Sequence, residues 1–486
     1  MGKKIVIDPV TRVEGHGRVT LHLDDYGKVE DAFFHIVEFR GFERFIQGHP
    51  YWEAPALVQR LCGICPVSHH LAAAKAVDQL VGVEPEDLSP AANAIRRLLH
   101  YAQIFQSHAL HFFYLASPDL LFGMEAPVEQ RNVVAVAMEH KELAKKGILM
   151  RKFGQELIRA IAGKRIHGTS AVPGGVYKSL NAGERKKFLD GIDVPSLADV
   201  TAWTQEVIAF MKDYHEQHRS LLDTFAAFPS GHLGLVGADG AMELYHGRLR
   251  AIDHDGAITL NDIATDAYRE YFSEGVERWS YMKFPFITSL GREHGWNRVG
   301  PLARMNVCTH IPTPLAEVER QAFFDMSGTA VNNRTMYTHW ARLIEMLHMA
   351  ECIGNLLHDP VLDSTDLVRQ GTPRTTGIGI IEAPRGTLTH HYEVDDKGMI
   401  QRCNLIVSTT HNNEPMNRAV RWVAQNVIDR QGTVTEGMLN QIEVAIRAYD
   451  PCLSCATQAL GKMPLQVELY DADNQLLQTV VKNSHA

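Results

Sequence analysis

The chain has 486 residues, of which 45% are hydrophobic and 22% are charged, a composition typical of a globular protein with a large buried core. Its formal net charge of −9 offers no long-range attraction to nucleic acid or to an anionic membrane surface. The N-terminus lacks an apolar signal core and no charge-free apolar run reaches about 18 residues, so we expect a cytoplasmic chain with no membrane span and no nucleic-acid partner.

The N-terminal region carries the pattern of a small sheet. Residues 4–38 alternate between apolar and polar side chains, and Asp24-Asp25-Tyr26-Gly27 interrupts the alternation. A period of two is the spacing of a strand with one buried face, and this tetrapeptide is typical of a turn. The region therefore predicts a β-hairpin.

Apolar residues at helical spacing dominate the middle of the chain. They occur at 66–83, 90–116, 128–162, 197–225 and 335–357. Ser89 and Pro90 are suited to cap and begin the second of these helices. Strand-like pieces interrupt the helices around 243–260. The stretches predict a bundle of long helices.

The C-terminal part combines a second hairpin with two helices. Residues 377–393 and 399–410 read as strands on either side of the turn Asp395-Asp396-Lys397-Gly398. Helices are predicted at 414–430 and 436–448. The whole pattern predicts an α+β fold that is mainly helical, with a long-helix bundle flanked by small antiparallel β-hairpins.

Four cysteines stand in two C-x-x-C pairs at opposite ends of the chain: Cys62 and Cys65 in R-L-C-G-I-C, and Cys452 and Cys455 in D-P-C-L-S-C. This spacing can turn both sulfurs of a pair to one side. Folding the C-terminus back onto the N-terminal region would then assemble four thiolates around a soft metal. On spacing alone, a structural zinc site is the commoner use of such pairs.

The other cysteines are Cys308, Cys352 and Cys403. They are far apart in sequence, and we expect them to act as small buried apolar residues. If the two pairs form one metal site, no cysteine set remains for an iron-sulfur cluster of the usual four-thiolate kind. Any chain of electron carriers must then lie in another subunit.

Several long motifs occur in order along the chain: Asp8-Pro9-Val10-Thr11-Arg12-Val13-Glu14-Gly15-His16, Phe39-Arg40-Gly41-Phe42-Glu43, the first cysteine pair, residues 167–175, Glu382-Ala383-Pro384-Arg385-Gly386 and the second cysteine pair. In these motifs the chain resembles the large, catalytic subunit of nickel-iron hydrogenases. Segments 38–55 and 100–108 are most similar to the cytoplasmic bidirectional subgroup, which couples hydrogen to NAD(P). The resemblance implies the large-subunit fold, one catalytic domain at 1–458, and a tail at 459–486 that relatives remove on maturation.

The resemblance implies that all four paired cysteines bind nickel, and that Cys65 and Cys455 also bridge to an iron carrying cyanide and carbon monoxide. Thiolates are soft donors, and splitting dihydrogen needs an electron-rich metal with an open position and a nearby base. Glu14 is implied to be the first proton acceptor beside a nickel-bound thiolate. By sequence alone, a lone glutamate after a strand is more often solvated or ion-paired.

Further residues are implied to surround the metals. Arg385 lies in an apolar strand segment, where an unpaired guanidinium is costly, so an anion should face it. The resemblance implies that it lies near the cyanides, and pairing with a structural carboxylate such as Asp450 does not exclude that role. Thr409, or Ser408 if the register slips, is implied to donate a hydrogen bond to the other cyanide. Arg60 is either a charge near the centre or a surface residue.

A magnesium site is implied by Glu43, by the backbone carbonyl of Leu405 and by the residue at position 458. By sequence alone, Glu43 would be a surface residue and Leu405 an ordinary buried strand residue. Most relatives have D-P-C-x-x-C-x-x-H, and this chain has Gln458 in place of the histidine. An amide oxygen can still bind magnesium, although it is a neutral acceptor and not an imidazole.

The departure at Gln458 also bears on processing. A protease that reads this position is expected to reject glutamine. Residues 465–469 are strand-like, and we expect them to pair with the body and to hold the C-terminal cysteines away from closure. The intact chain is then expected to be an immature form of low activity.

The activity implied by the resemblance is reversible heterolytic cleavage of H2, with the proton leaving through a thiolate and Glu14. Electrons would pass to an iron-sulfur small subunit, then to a flavin-containing NAD(P)-reducing module, so that iron-sulfur clusters and FMN lie only in partner subunits. A maturation protease and nickel-insertion factors are further expected partners. The alternatives are a regulatory subunit that senses hydrogen and a metal-free scaffold subunit of a related respiratory complex, and the complete cysteine set argues against the scaffold.

Overall fold

The N-terminal segment forms a three-stranded antiparallel sheet. The computed structural model describes residues 3–431, 433–458, 465–470 and 475–482. The strands of this sheet are Lys3–Ile7, Gly17–Leu23 and Val29–Ile36, paired in that order. The predicted hairpin is confirmed by the second and third strands, and the first strand extends it by one.

Long helices make up the central bundle: Pro66–Leu80, Pro90–Leu110, Lys141–Ala162, Leu197–Thr224, Pro314–Ser327, Tyr337–His358, Asn413–Val423 and Glu436–Ala448. Shorter helices lie between them: Phe42–Phe45, Ala54–Leu57, Ser117–Phe122, Val133–Glu139, Ala182–Asp190, Tyr268–Tyr271, Gly291–His294, Pro301–Val307 and Ser408–His411. Two of the long helices continue as short π-helices, His111–Ala116 and Ala424–Ile428. Among the described residues, no helix has both the length and the apolar character needed to cross a membrane.

One predicted helix is divided in two. Residues 128–162 form Val133–Glu139 and Lys141–Ala162, because His140 leaves the helical region at φ −123° and ψ 52°. The start of the first helix is set by Asn132, whose side chain accepts hydrogen bonds from the backbone N–H groups of Val134 and Ala135. The predicted beginning at 128 was therefore five residues early.

A second three-stranded sheet consists of Thr376–Ala383, Gly386–Val394 and Ile400–Ile406. The single strand predicted at 377–393 is in fact a hairpin that reverses at Pro384 and Arg385. The strand predicted at 399–410 ends at Ile406, and Ser408–His411 turns into a short helix. Both corrections concern candidate site residues: Arg385 lies at a turn, and Ser408 and Thr409 lie in a short helix.

Helix Pro66–Leu80 packs closely on the first strand of this second sheet. Two glycines permit the approach, because a Cβ on Gly377 or Gly379 would lie 2.0 Å from the carbonyl oxygen of Ala76 or Ala72. The strand therefore runs antiparallel to the helix, so that later strand residues contact earlier helix residues. This antiparallel arrangement carries the turn at Arg385 to the beginning of the helix, immediately after Cys65.

The remaining sheets are small. A four-stranded sheet has the order Asn297–Arg298, Gly231–Val236, Arg248–Ile252 and Ile258–Ile263. Two-stranded sheets pair Phe272–Glu277 with Ser280–Ile287, Ala171–Val172 with Gly175–Val176, and Leu465–Tyr470 with Leu476–Lys482. The strand predicted at 465–469 is present, but its described partner is the neighbouring tail segment and not the body.

A buried ion-pair cluster ties the bundle to the second sheet. Arg304 donates to both carboxylate oxygens of Glu345, at 2.5 and 2.7 Å, and to Glu382 at 2.7 Å. All three side chains are fully buried. Burial opposes ionisation of Glu345, but the charge of Arg304 outweighs it and lowers the pKa of Glu345 to about 2. One guanidinium thus connects helix Pro301–Val307, helix Tyr337–His358 and strand Thr376–Ala383.

We expect Arg304→Met to lower the free energy of unfolding by roughly 3–5 kcal/mol, because two buried carboxylates lose their partner. Arg292→Met is the matched control, since Arg292 pairs with Glu277 on the surface and such pairs contribute about 0–1 kcal/mol. Urea denaturation followed by circular dichroism compares the two variants. Equal stability of Arg304→Met and wild type would show that the cluster does not hold the fold together.

Candidate metal centre

The two cysteine pairs meet in one buried cluster. The four sulfurs of Cys62, Cys65, Cys452 and Cys455 all lie within 4.8 Å of one another. Sγ of Cys62 is 3.3 Å from Sγ of Cys452, and Sγ of Cys65 is 3.5 Å from Sγ of Cys455. The tail was expected to hold the C-terminal cysteines away from closure, and that expectation is wrong, because the described residues bring all four sulfurs together.

Local structure fixes both pairs. Cys62 follows the turn Val58–Leu61, and its sulfur accepts hydrogen bonds from the N–H groups of Ile64 and Cys65 at 3.1 and 3.3 Å. Cys65 is the residue before helix Pro66–Leu80, where proline occupies the first position. The positive end of the helix dipole therefore lies beside the sulfurs and favours their ionised form.

The electrostatics of the cluster favour the binding of a cation. Hydrogen bonds from the other three thiols, first that of Cys452, hold the pKa of Cys65 well below its usual range. Burial raises the pKa of Cys452 and Cys455 well above it. One thiolate is thus stabilised at the expense of its neighbours. Four ionised sulfurs in this space require a metal ion, which is how thiolate sites release their protons.

Arg385 closes one side of the centre. Its Nε donates to the backbone oxygen of Asp450 at 2.5 Å, and its Nη2 donates to Oδ1 of the same residue at 3.0 Å. The pairing with Asp450 is therefore present. Nη1 is buried and has no partner among the described residues. Since an unsatisfied guanidinium N–H is costly, this atom fits an anionic ligand held by the cysteines.

A small cavity lies beside Arg385, and its lining includes Cys65, His69, Arg385, Ser408 and Thr409. Thr409 accepts a hydrogen bond from the N–H of Cys452 at 2.9 Å, and its own O–H has no acceptor among the described residues. Ser408 already donates to the backbone oxygen of Gly386 at 2.6 Å. Thr409 is therefore the hydroxyl that remains able to donate into the cavity. Both residues lie at the start of a short helix and not in the predicted strand.

Glu14 contacts the cluster directly. Its Oε2 accepts from Sγ of Cys452 at 3.0 Å and from the N–H of Ser454 at 3.2 Å. The hydroxyl of Ser454 donates to Oε1. The backbone of Glu14 is also bound, because its carbonyl accepts from the N–H of Leu453 at 3.0 Å. The carboxylate forms no ion pair with any described residue.

Buried ion pairs behind Glu14 hold its loop, and sequence reasoning missed them. Asp119 binds Arg12 at 2.5 Å and Arg447 at 2.9 Å. Glu443 accepts from the hydroxyl of Thr11 at 2.8 Å. Glu443 and Arg447 are four residues apart in helix Glu436–Ala448, a spacing that could have indicated a paired face. Nothing in the sequence indicated Asp119 as the partner.

Glu43, Leu405 and Gln458 come together where the segment after the second cysteine pair meets the second sheet. Oε1 of Glu43 accepts from the N–H of Leu405 at 2.8 Å. In an antiparallel strand the N–H and C=O of one residue point the same way, so the carbonyl of Leu405, on an edge strand, also faces Glu43. Oε1 of Gln458 accepts from the N–H of Phe42 at 3.2 Å. Burial raises the pKa of Glu43, so a hard cation beside these oxygens would be favourable.

Arg60 is exposed and does not touch the sulfurs. Its Nη1 lies 3.0 Å from Nδ1 of His167, whose Nε2 lies 3.1 Å from the backbone oxygen of Cys62. The charge therefore reaches the centre only through His167. His167 belongs to a segment that the sequence singled out, but its contact with Cys62 was not predicted.

Comparison with known proteins agrees with this geometry. Residues 40–145 and 249–458 match the family described as Nickel-dependent hydrogenase, and residues 4–39 match the family described as HoxL-like. The chain is 51% identical to the NAD-reducing hydrogenase HoxS subunit beta of Cupriavidus necator, over 98% of this chain and 99% of that protein. It is 40% identical to a subunit of the F420-non-reducing hydrogenase of Methanothermobacter thermautotrophicus, over 98% and 100%.

Solved structures show the same fold. The crystal structure of an NAD+-reducing [NiFe]-hydrogenase in the H2-reduced state superposes with a TM-score of 0.90 at 52% identity, covering 94% of this chain and 99% of that chain. The Ni-Fe-Se hydrogenase of Desulfomicrobium baculatum superposes with a TM-score of 0.74 at 22% identity, over 94% and 100%. The predicted fold class is confirmed.

Proposed function

Because the chain belongs to the nickel-dependent hydrogenase family, we propose that it is the catalytic subunit of an NAD-reducing nickel-iron hydrogenase. The main support for this proposal is the buried four-cysteine cluster in a chain 51% identical, over nearly its whole length, to a subunit of an NAD-reducing hydrogenase. A metal-free scaffold has no use for such a cluster. A hydrogen sensor has no corresponding observation in its favour.

The four cysteines would hold nickel, and Cys65 and Cys455 would also hold iron. When bound, this centre supplies an electron-rich site with an open position at which H2 is polarised. The task of the chain is to remove the proton. Oε2 of Glu14, at 3.0 Å from Sγ of Cys452, is placed to receive it from that sulfur. Ser454 keeps the carboxylate in place through two hydrogen bonds.

Cyanide and carbon monoxide on the iron would account for two polar groups in the cavity. Nη1 of Arg385 is a buried donor without a partner, and the hydroxyl of Thr409 is a donor without an acceptor among the described residues. Each fits a small anion such as cyanide, whose nitrogen is an acceptor. Asp450 fixes the guanidinium plane through two contacts, so Arg385 presents its third nitrogen in one orientation.

Magnesium would be bound by the carboxylate of Glu43, the carbonyl of Leu405 and the amide oxygen of Gln458. All three are hard oxygen donors, as this ion requires. Such an ion would join the segment after Cys455 to the second sheet and to the helix at Glu43. Its contribution would be to hold the second cysteine pair in position.

Electrons must leave through partner subunits. In the described part of the chain, the four cysteines are the one group of three or more Cys, His, Asp or Glu side chains whose ligand atoms all lie within 4.8 Å of one another. Iron-sulfur clusters would therefore belong to a small subunit, and FMN to a flavin-containing NAD(P)-reducing module. This chain alone should not reduce NAD. A maturation protease and nickel-insertion factors complete the set of partners, and the cytoplasm is the proposed location.

The proposal is tested on the complex purified with its partner subunits. We expect nickel and iron in the preparation, infrared bands of iron-bound cyanide and carbon monoxide, and NAD reduction that depends on H2. Cys62→Ser, Cys65→Ser, Cys452→Ser and Cys455→Ser should each lose nickel and turnover, because a hydroxyl does not replace a soft thiolate. Cys403→Ser, outside the cluster, is the control. Stoichiometric zinc without nickel in the wild type would refute the proposal.

Glu14→Gln should retain both metals and lose roughly 10²–10⁴-fold in hydrogen-deuterium exchange, because the amide is nearly isosteric but cannot carry the proton. Glu38→Gln is the matched control, since Glu38 lies beside the same loop and binds the N–H of His16 but not a cysteine. Exchange is followed by mass spectrometry of the gas phase. A normal rate in Glu14→Gln would remove Glu14 from the proton route.

The tail after Gln458 is a candidate for proteolytic removal. The alignments with the two solved chains cover 94% of this chain but 99% to 100% of the solved chains, and the family match ends at residue 458. Gln458 is only 2% exposed, and its carbonyl accepts from the N–H of Glu43 at 3.2 Å. Its Nε2 donates to the carbonyls of Ser454 and Cys455 at 2.9 and 2.8 Å. A protease must break these contacts to reach the bond.

We propose that the intact chain has low activity although its four sulfurs already lie together, and that Gln458→His permits cleavage after position 458 and raises turnover. A neutral imidazole has one N–H where the amide has two, so it cannot keep both bonds to Ser454 and Cys455. Gln458→Asn retains the amide and is the control that should stay uncleaved. Intact mass and hydrogen uptake are measured on the same sample. Full turnover by the uncleaved wild-type chain would contradict the proposal.

A further inference from the structure

Three buried polar rings form a hydrogen-bonded row that ends at the metal centre. Nδ1 of His69 lies 3.1 Å from Nε2 of His390, and Nδ1 of His390 lies 2.6 Å from the hydroxyl of Tyr392. The exposed fractions of His69, His390 and Tyr392 are 1%, 0% and 0%. No part of the mechanism described above uses this row.

The row follows from strand and helix geometry. His390 and Tyr392 are two residues apart in strand Gly386–Val394, so both side chains lie on the same face of the sheet. That face packs on helix Pro66–Leu80, which carries His69 one turn after Cys65. His391, on the opposite face, binds the hydroxyl of Tyr268 at 2.9 Å.

Tyr392 determines which atom donates in each hydrogen bond of the row. Its hydroxyl has one hydrogen, and the one hydrogen-bond partner of that group among the described residues is Nδ1 of His390. If His390 donated instead, the phenol hydrogen would be left buried without an acceptor, which is unfavourable. Tyr392 therefore donates to His390. Nε2 of His390 then carries the hydrogen and donates to Nδ1 of His69.

The consequence falls on Nε2 of His69. Because Nδ1 of His69 accepts, the ring hydrogen must be on Nε2. This nitrogen is buried and has no hydrogen-bond partner among the described residues. His69 lines the same cavity as Cys65 and Arg385. The donor is thus directed to the side of the centre where Cys65 lies.

We propose that Tyr392 is a positioning residue that holds His69 in the tautomer with hydrogen on Nε2, and so keeps an N–H donor on the Cys65 side of the metal centre. The inference rests on the proposed function, because it is the nickel-iron centre that gives this donor its effect. A hydrogen bond to a thiolate withdraws charge from the sulfur. Less charge then reaches the iron, and less is passed into the antibonding orbitals of its carbon monoxide.

The test compares infrared spectra of the complex carrying wild-type chain or Tyr392→Phe. Loss of the phenol hydrogen releases the tautomer of His390 and His69, so the carbon monoxide band should shift to lower wavenumber while nickel and iron contents stay unchanged. Tyr245→Phe is the matched control, since Tyr245 is fully buried and its hydroxyl has no hydrogen-bond partner in the described residues. Its bands should coincide with those of the wild type.

A ring-fluorinated tyrosine at position 392 supplies the opposite perturbation and retains the packing of the ring. It tests the inference even if Tyr392→Phe fails to fold. A more acidic phenol is a stronger donor, so the band should shift to higher wavenumber. Unchanged bands in both variants would overturn the inference and leave the proposed function intact. Absence of any cyanide or carbon monoxide band in the wild type would overturn the proposed function, and the inference with it.

Discussion

The structure depends on one electrostatic constraint: four cysteine sulfurs from the two ends of the chain share a buried space. The exposed fractions of these cysteines lie between 0% and 6%, so water cannot screen them. Thiols in such a place resist ionisation, and the lowered pKa of Cys65 is accompanied by raised pKa values at Cys452 and Cys455. A bound cation would favour the ionised form of all four. The surrounding protein can be understood as the means of bringing these sulfurs together and keeping their environment positive.

Most of that environment comes from groups whose own position is fixed by a buried partner. Arg385 is oriented by Asp450, and the ion pair of Arg447 with Asp119 fixes the loop that carries Glu14. The start of helix Pro66–Leu80 adds the positive end of a dipole beside Cys65. Asp450 contacts two nitrogens of Arg385 and leaves Nη1 without a hydrogen-bond partner among the described residues. A lysine in the same place would not be held in one plane, because its single nitrogen has no planar fork.

Much of this could be predicted from the sequence, and the limits are physical. The helices at 66–80 and 436–448 follow from apolar spacing and capping residues, which are local properties. The cysteine pairs indicate a metal by residue type alone. The turn at Arg385 was missed because residues on both sides have strand character, although Pro384 and Gly386 are local signals of a tight hairpin. The contacts of Asp119 and Ser454 were missed because their partners lie 328 and 440 residues away in sequence.

The C-terminal segment explains why these distant contacts matter. Between Cys452 and Gln458 it is bound to the N-terminal part at several backbone groups: Leu453 donates to Glu14, Thr457 accepts from Arg40 and Gly41, and Gln458 accepts from Glu43. The same contacts that bring the second cysteine pair to the first also place Glu14 against Cys452. The docked segment therefore positions both the proposed base and the proposed metal ligands. A centre built from separate elements would need each to be ordered independently, whereas here the docking of one short segment completes both the proposed ligand set and its proposed proton acceptor.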